Sequence, residues 1–96
     1  SQLFFEAQVA EAPNASELEG SIAADPNDHQ ARLHLALRKV VDQDYEAAVE
    51  LLLELMRQDR SFGEDAGRRA LLKVFDLLGD DPRVGDYRRR MTSLLY

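Results

Sequence analysis

Apolar side chains in this sequence recur at every third or fourth residue, and no stretch shows them in simple alternation. A spacing near 3.6 places side chains on one face of a helix, whereas a strand needs a period of two. The chain is therefore confined to an all-α fold, and the breaks in the pattern set its helices. Ser16-Glu17-Leu18-Glu19 reads as a capping box, with the Ser hydroxyl and the Glu19 carboxylate satisfying two amide donors reciprocally. Leu18 and Ile22 then share a face, Gly20 weakens the helix, and Asp25-Pro26 ends it. A second helix is expected from about Asp28 to Asp42, capped by Asn27 or Asp28, with Leu33, Leu37, Val40 and Val41 as its stripe and Leu35 and Ala36 broadening it. A third begins at the Asp44 cap. Tyr45, Ala48, Val49, Leu52, Leu55 and Met56 line one face, and Leu51 and Leu53 make it apolar on more than one side, so it should lie between two neighbours. Ser61-Phe62-Gly63 reads as a turn. The fourth helix spans about Asp65 to Leu78, with Leu71, Val74, Phe75 and Leu78 aligned. Gly79 suits the left-handed position that ends a helix, and Asp81-Pro82 opens the last one, striped by Val84, Tyr87, Met91, Leu94 and Leu95. About five short helices result. Residues 1–15, with the apolar Leu3-Phe4-Phe5 and the linker-like Glu11-Ala12-Pro13-Asn14, read as a linker or docking segment, and 16–96 as the helical domain.

The 96 residues fit one domain with a single thin core. Residues 1–30 hold six acids and no Lys or Arg; the remaining twelve acids (18 less 6) balance the twelve bases. That acidic total argues against nucleic acid as a partner, because phosphate binding draws on excess Lys and Arg. With no cysteine, disulfides, thiolate metal sites and thiol redox chemistry are excluded. No apolar run approaches the roughly 20 residues that cross a bilayer, and no signal peptide is visible. A start at Ser1 suggests an excised fragment of a longer protein.

Helix pairs joined by tight turns invite a search for repeats. Residues 29–62 resemble the tetratricopeptide (TPR) pattern. Leu35-Ala36 takes the place of its Leu-Gly pair, and Tyr45, Ala48 and Val49 that of its Tyr-x-x-Ala-Ile. Leu52 and Leu55 stand at later packing positions, and Asp25-Pro26-Asn27-Asp28 resembles the end of a preceding repeat. Arg32 replaces the usual aromatic and Arg60 the closing proline; residues 63–96 form a degenerate second pair. The resemblance implies a TPR-like right-handed α-solenoid of helical hairpins, with an N-terminal helix packed on one end.

A longer run is similar to the C-terminal domain of bacterial thioredoxin-like chaperedoxins of the YbbN/CnoX type. It comprises Asp59-Arg60-Ser61-Phe62, Ala66-Gly67-Arg68-Arg69-Ala70-Leu71-Leu72, Phe75-Asp76-Leu77-Leu78-Gly79-Asp80-Asp81-Pro82 and Tyr87 to Leu95. This resemblance implies a cytoplasmic co-chaperone that holds unfolding client proteins, protects their cysteines and passes them to a chaperonin such as GroEL, with the C-terminal helix implicated in docking. The thioredoxin domain of such a protein would lie outside this chain. A homodimer of the fragment is a further expectation, since an excised repeat exposes a face that its neighbour covers.

Two surfaces are candidates for partner binding. Tyr87, Arg88, Arg89, Arg90, Met91, Leu94, Leu95 and Tyr96 join a basic cluster to an apolar end. Either this stripe stays partly exposed and docks in a partner's groove, or it caps the solenoid core with its arginines solvated. Leu33, Leu37, Val40 and Val41 lie where TPR arrays line their inner surface. They form either a client groove or a face covered by the N-terminal segment or an upstream repeat. No residues suggest catalysis, a cofactor or a metal. Asp42-x-Asp44-x-Glu46 fails as a calcium loop, having Ala47 in place of the turn glycine and Leu53 in place of the bidentate Glu. His29 and His34 are five apart, about 140° around a helix, and cannot chelate jointly. A DNA-binding helix-turn-helix at Arg68-Arg69 is opposed by Pro82 and the interleaved acids. The expectation is a protein-interaction module. Its rival is a structural capping repeat with no direct partner contact.

Overall fold

A computed structural model describes residues 14–95, and these contain five helices and no strand. They are α1 (Ala15–Ala24), α2 (His29–Val41), α3 (Tyr45–Gln58), α4 (Phe62–Leu78) and α5 (Arg83–Leu94). The N-terminal segment up to residue 13 lies outside the described residues, while Asn14 and Ala15 belong to the start of α1.

Local side-chain chemistry sets each boundary. The N-cap of α1 is Asn14, two residues before the Ser16 expectation. Asn14 Oδ1 accepts from the Glu17 amide at 2.9 Å, and the Asn14 side-chain amide donates to Glu17 Oε1 at 3.3 Å. Asn14 and Glu17 have the same three-residue offset as Ser16 and Glu19. The earlier phase prevails, and Ala15, Leu18 and Ile22 then share the face that meets Ala31 and Leu35 of α2. Asp28 caps α2, accepting from Ala31 N at 3.0 Å. That helix ends in a Schellman motif: the Asp44 amide bonds to the Lys39 carbonyl and the Gln43 amide to the Val40 carbonyl, with Gln43 at φ 64. Asp44 in turn caps α3 through Ala47 N.

Two boundaries hold surprises. The turn expected at Ser61-Phe62-Gly63 lies slightly later, because Gly63, Glu64 and Asp65 adopt φ 60, 58 and 63 in succession. Regular helix resumes at Ala66. Gly79 (φ 59) closes α4 in a conformation that only glycine adopts cheaply. At α5, Asp81 Oδ1 accepts from Arg83 N at 2.9 Å, and Pro82 is already helical at φ −58, ψ −23, the role proline favours in a first turn.

The helices form antiparallel hairpins around α3, which touches α2, α4 and α5. This follows from its broad apolar surface: Val49, Leu52, Leu53 and Met56 share one buried face, and the buried Ala48 and Leu55 extend it around the helix. Fully burying a leucine contributes about 1.5–3 kcal/mol relative to leaving it exposed, so α3 dominates the hydrophobic stabilisation. Ala36 and Ala48, both without exposed surface, let α2 and α3 approach closely. Gly67 does the same between α3 and α4: a Cβ there would stand 3.0 Å from Met56 Cγ and 3.4 Å from the Leu52 carbonyl oxygen.

The two departures from the repeat pattern have structural uses. Arg32, at the aromatic position, is 8% exposed; its stem fills the space and its Nη2 donates to the Pro26 carbonyl at 2.7 Å. Arg60, at the proline position, reaches across the fold to donate to the Leu95 carbonyl at 2.7 Å.

Candidate protein-binding site

An open cleft of about 240 Å³ separates α2 from α4. Its floor is Leu33, Leu37, Ala66 and Ala70, and its rim is Gln30, Phe62, Gly63 and Arg69. Cofactor and substrate pockets run to roughly 300–1,000 Å³ and enclose their ligand. This cleft is smaller and open, suited to one or two side chains of another chain. The left-handed turn shapes its mouth. Left-handed conformation costs a residue with a Cβ about 1–2 kcal/mol, and Glu64 and Asp65 both bear it. Arg69 offsets this cost by donating from Nε to the Glu64 carbonyl at 2.9 Å and from Nη2 to the Gly63 carbonyl at 2.7 Å. The turn also holds Phe62 against the edge of the His29 ring, with centroids 5.4 Å apart.

Of the residues proposed from the sequence for this groove, Leu33 and Val41 keep partial exposure. Leu37 and Val40 do not: both belong to the core shared with α3, and of the four only Leu33 and Leu37 line the cleft, Leu37 as a nearly closed part of its floor. The sequence reading missed Phe62, Ala66, Arg69 and Ala70. A weak signal existed, since Ala70 follows Ala36 by the 34 residues of one repeat.

The C-terminal helix is more tightly held than an exposed docking edge would be. Tyr87 and Met91 are buried in the main core, and Leu94 and Leu95 pack partly against it. The arginines have partners on this chain. Arg88 stacks its guanidinium 5.0 Å from the Phe75 ring centre, Arg89 lies 3.5 Å from Asp86, and Arg90 pairs with Glu50 of α3. Tyr96 lies outside the described residues. What α5 exposes is a polar strip of Gly85, Arg88, Arg89, Thr92 and Ser93. At its start, the Arg83 guanidinium grips Asp81 through both carboxylate oxygens, at 3.0 and 2.9 Å. This side-chain bond, together with the Arg83 backbone amide, draws the Asp81 carboxyl from its ordinary 3.8 down to about 2 and raises Arg83.

Among the described residues no group of three or more His, Asp or Glu is placed to hold a metal, and no helix is long and apolar enough to cross a membrane. Compared with known families, residues 8–96 match the model of the tetratricopeptide repeat. The chain belongs to the tetratricopeptide repeat family. No curated protein and no solved structure matches it. In TPR terms α2 and α3 form one complete hairpin and α4 and α5 the next, with α1 packed against α2. The cleft therefore lies between the first helices of successive repeats. TPR repeats mediate protein–protein interaction.

Proposed function

We propose that this chain is the protein-interaction module of a thioredoxin-like co-chaperone of the YbbN/CnoX type, contacting client proteins or a chaperonin through its helical surfaces. The carrying observation is the open cleft between α2 and α4, apolar at its floor and bordered by Phe62 and Arg69. An apolar floor takes side chains that an unfolding protein exposes and a folded one hides. The run from Asp59 to Leu95, similar to chaperedoxin C-terminal domains, supports the co-chaperone context. The polar strip of α5 offers a second contact surface, with Arg88 and Arg89 accessible.

The burial of Tyr87 and Met91 favours a further reading for α5 alone: it caps the solenoid and contributes stability. Point variants separate these roles better than truncation, because removing Thr92–Tyr96 would also remove the Arg60–Leu95 bond. Leu33→Glu places a charge on the cleft floor at a partly exposed site. It should abolish suppression of client aggregation while the melting temperature stays within a few degrees. Arg89→Glu should weaken chaperonin pull-down at unchanged stability. If both variants act like the parent chain, the co-chaperone reading fails and the capping role stands alone.

A further inference from the structure

We propose that the α2–α4 cleft selects protein segments in which an aliphatic or aromatic side chain is followed by a carboxylate, and that Arg69 makes this selection. The inference rests on reading the cleft as the client-binding surface.

Among the described residues Arg69 is the one charged side chain lining the cleft, and no acid lines it. Its orientation is fixed from behind. Nε and Nη2 are engaged by the Glu64 and Gly63 carbonyls, so the guanidinium plane is held by the turn. The Nη1 hydrogens remain for a ligand. A planar fork already immobilised loses little rotamer freedom when it takes a carboxylate. The facing wall is neutral, since Gln30 directs its side-chain amide to the His34 ring at 2.7 Å. One turn further along α4, Arg69, Leu72, Lys73 and Asp76 border a second shallow hollow. The surface thus runs apolar floor, Arg69, then Leu72, and its complement is a segment that runs apolar, acidic, apolar.

The net charge of −6 repels an acidic segment at long range. Selection must therefore arise in contact, within the roughly 8 Å over which charges act at physiological salt. It is a preference in affinity rather than electrostatic steering.

Two fluorescent peptides, identical but for a Leu-Phe-Glu or a Leu-Phe-Lys core, test this by polarisation against the intact chain at physiological salt. The Glu peptide is expected to bind about tenfold more tightly than its Lys twin, the scale of one hydrogen bond to a charged group. Arg69→Lys should keep that order and Arg69→Glu should invert it, with circular dichroism confirming the helices. If Arg69→Glu does not fold, the twin peptides on the parent chain decide alone. A photocrosslinker at Ala66 must label the Glu peptide. Equal binding of the twins, an order unchanged in folded Arg69→Glu, or crosslinking absent at Ala66 would each overturn the inference. Failure of both peptides to bind would instead remove the cleft as a client surface, the reading beneath it.

Discussion

At the scale of single residues, two glycines and one arginine show how environment decides the sign of a substitution. Gly20 lies on the exposed side of α1, and a Cβ there meets nothing within 4 Å. Gly20→Ala should stabilise the chain by about 0.5–1 kcal/mol, read as a higher denaturant midpoint, because alanine removes the entropic weakness of a mid-helix glycine. Gly67 is the opposite case. Its missing side chain is what lets α4 rest on Met56 and the Leu52 carbonyl, so Gly67→Val should destabilise by about 1–3 kcal/mol through overpacking. Arg32 is buried with its Nε unpaired, and its one hydrogen bond goes to a carbonyl on an exposed residue that water can satisfy instead. Arg32→Met keeps the packed stem and removes the buried charge. It should be neutral or stabilising in the same assay, whereas Arg32→Ala should cost about 2 kcal/mol for the cavity it leaves.

At the scale of helices, the sequence was most legible where an aspartate cap precedes a clean stripe. Asp28, Asp44 and Asp81 each take the capping role their type and place imply. The start of α1 was misplaced because Asn14–Glu17 and Ser16–Glu19 are overlapping pairs with the same offset, and only tertiary contact with α2 chooses between them. The turn at Glu64 and Asp65 was invisible for a different reason: its left-handed residues are not the glycines that signal such geometry, and it depends on Arg69 several residues later. The cleft was half legible. Leu33 announces its own wall, but the opposing wall comes from the next hairpin, and periodicity within one helix cannot say which faces meet. The stripe of α5 was read correctly as apolar, yet periodicity could not tell a docking edge from a core contact. The pairing that begins α5 makes its own prediction. Asp81 titrates at about 2 in the fold and near 3.8 when free, so its pairing stabilises the fold above about pH 4 and this contribution disappears as pH falls through 2. Amide protection in the first turn of α5 should drop across that window, and Asp81→Asn should remove the pH dependence there.

At the scale of the whole molecule, stability should be graded from α3 outward. α3 contributes Val49, Leu52 and Leu53 with almost no exposed surface and meets three other helices, so opening it means unfolding the domain. α5 enters the buried core through Tyr87 and Met91, with Arg90–Glu50, Arg88 on Phe75 and Arg60–Leu95 as its further ties. The exposed ion pair and the cation–π contact each contribute about 0–1 kcal/mol and the exposed hydrogen bond to Leu95 adds a similarly small amount, so Tyr87 and Met91 carry the attachment. In a repeat stack each hairpin is stabilised by its neighbour, and a terminal helix can open without the rest. Tyr87→Ala should therefore remove about 3–5 kcal/mol from the attachment of α5 while leaving α2 and α3 paired. Hydrogen exchange read by mass spectrometry checks this. Amides of residues 83–94 should lose protection in Tyr87→Ala, and those of 45–58 should remain the slowest in both proteins. Uniform loss of protection from α1 to α5 would instead mean that the module folds as one cooperative unit with α5 as an integral part of its core.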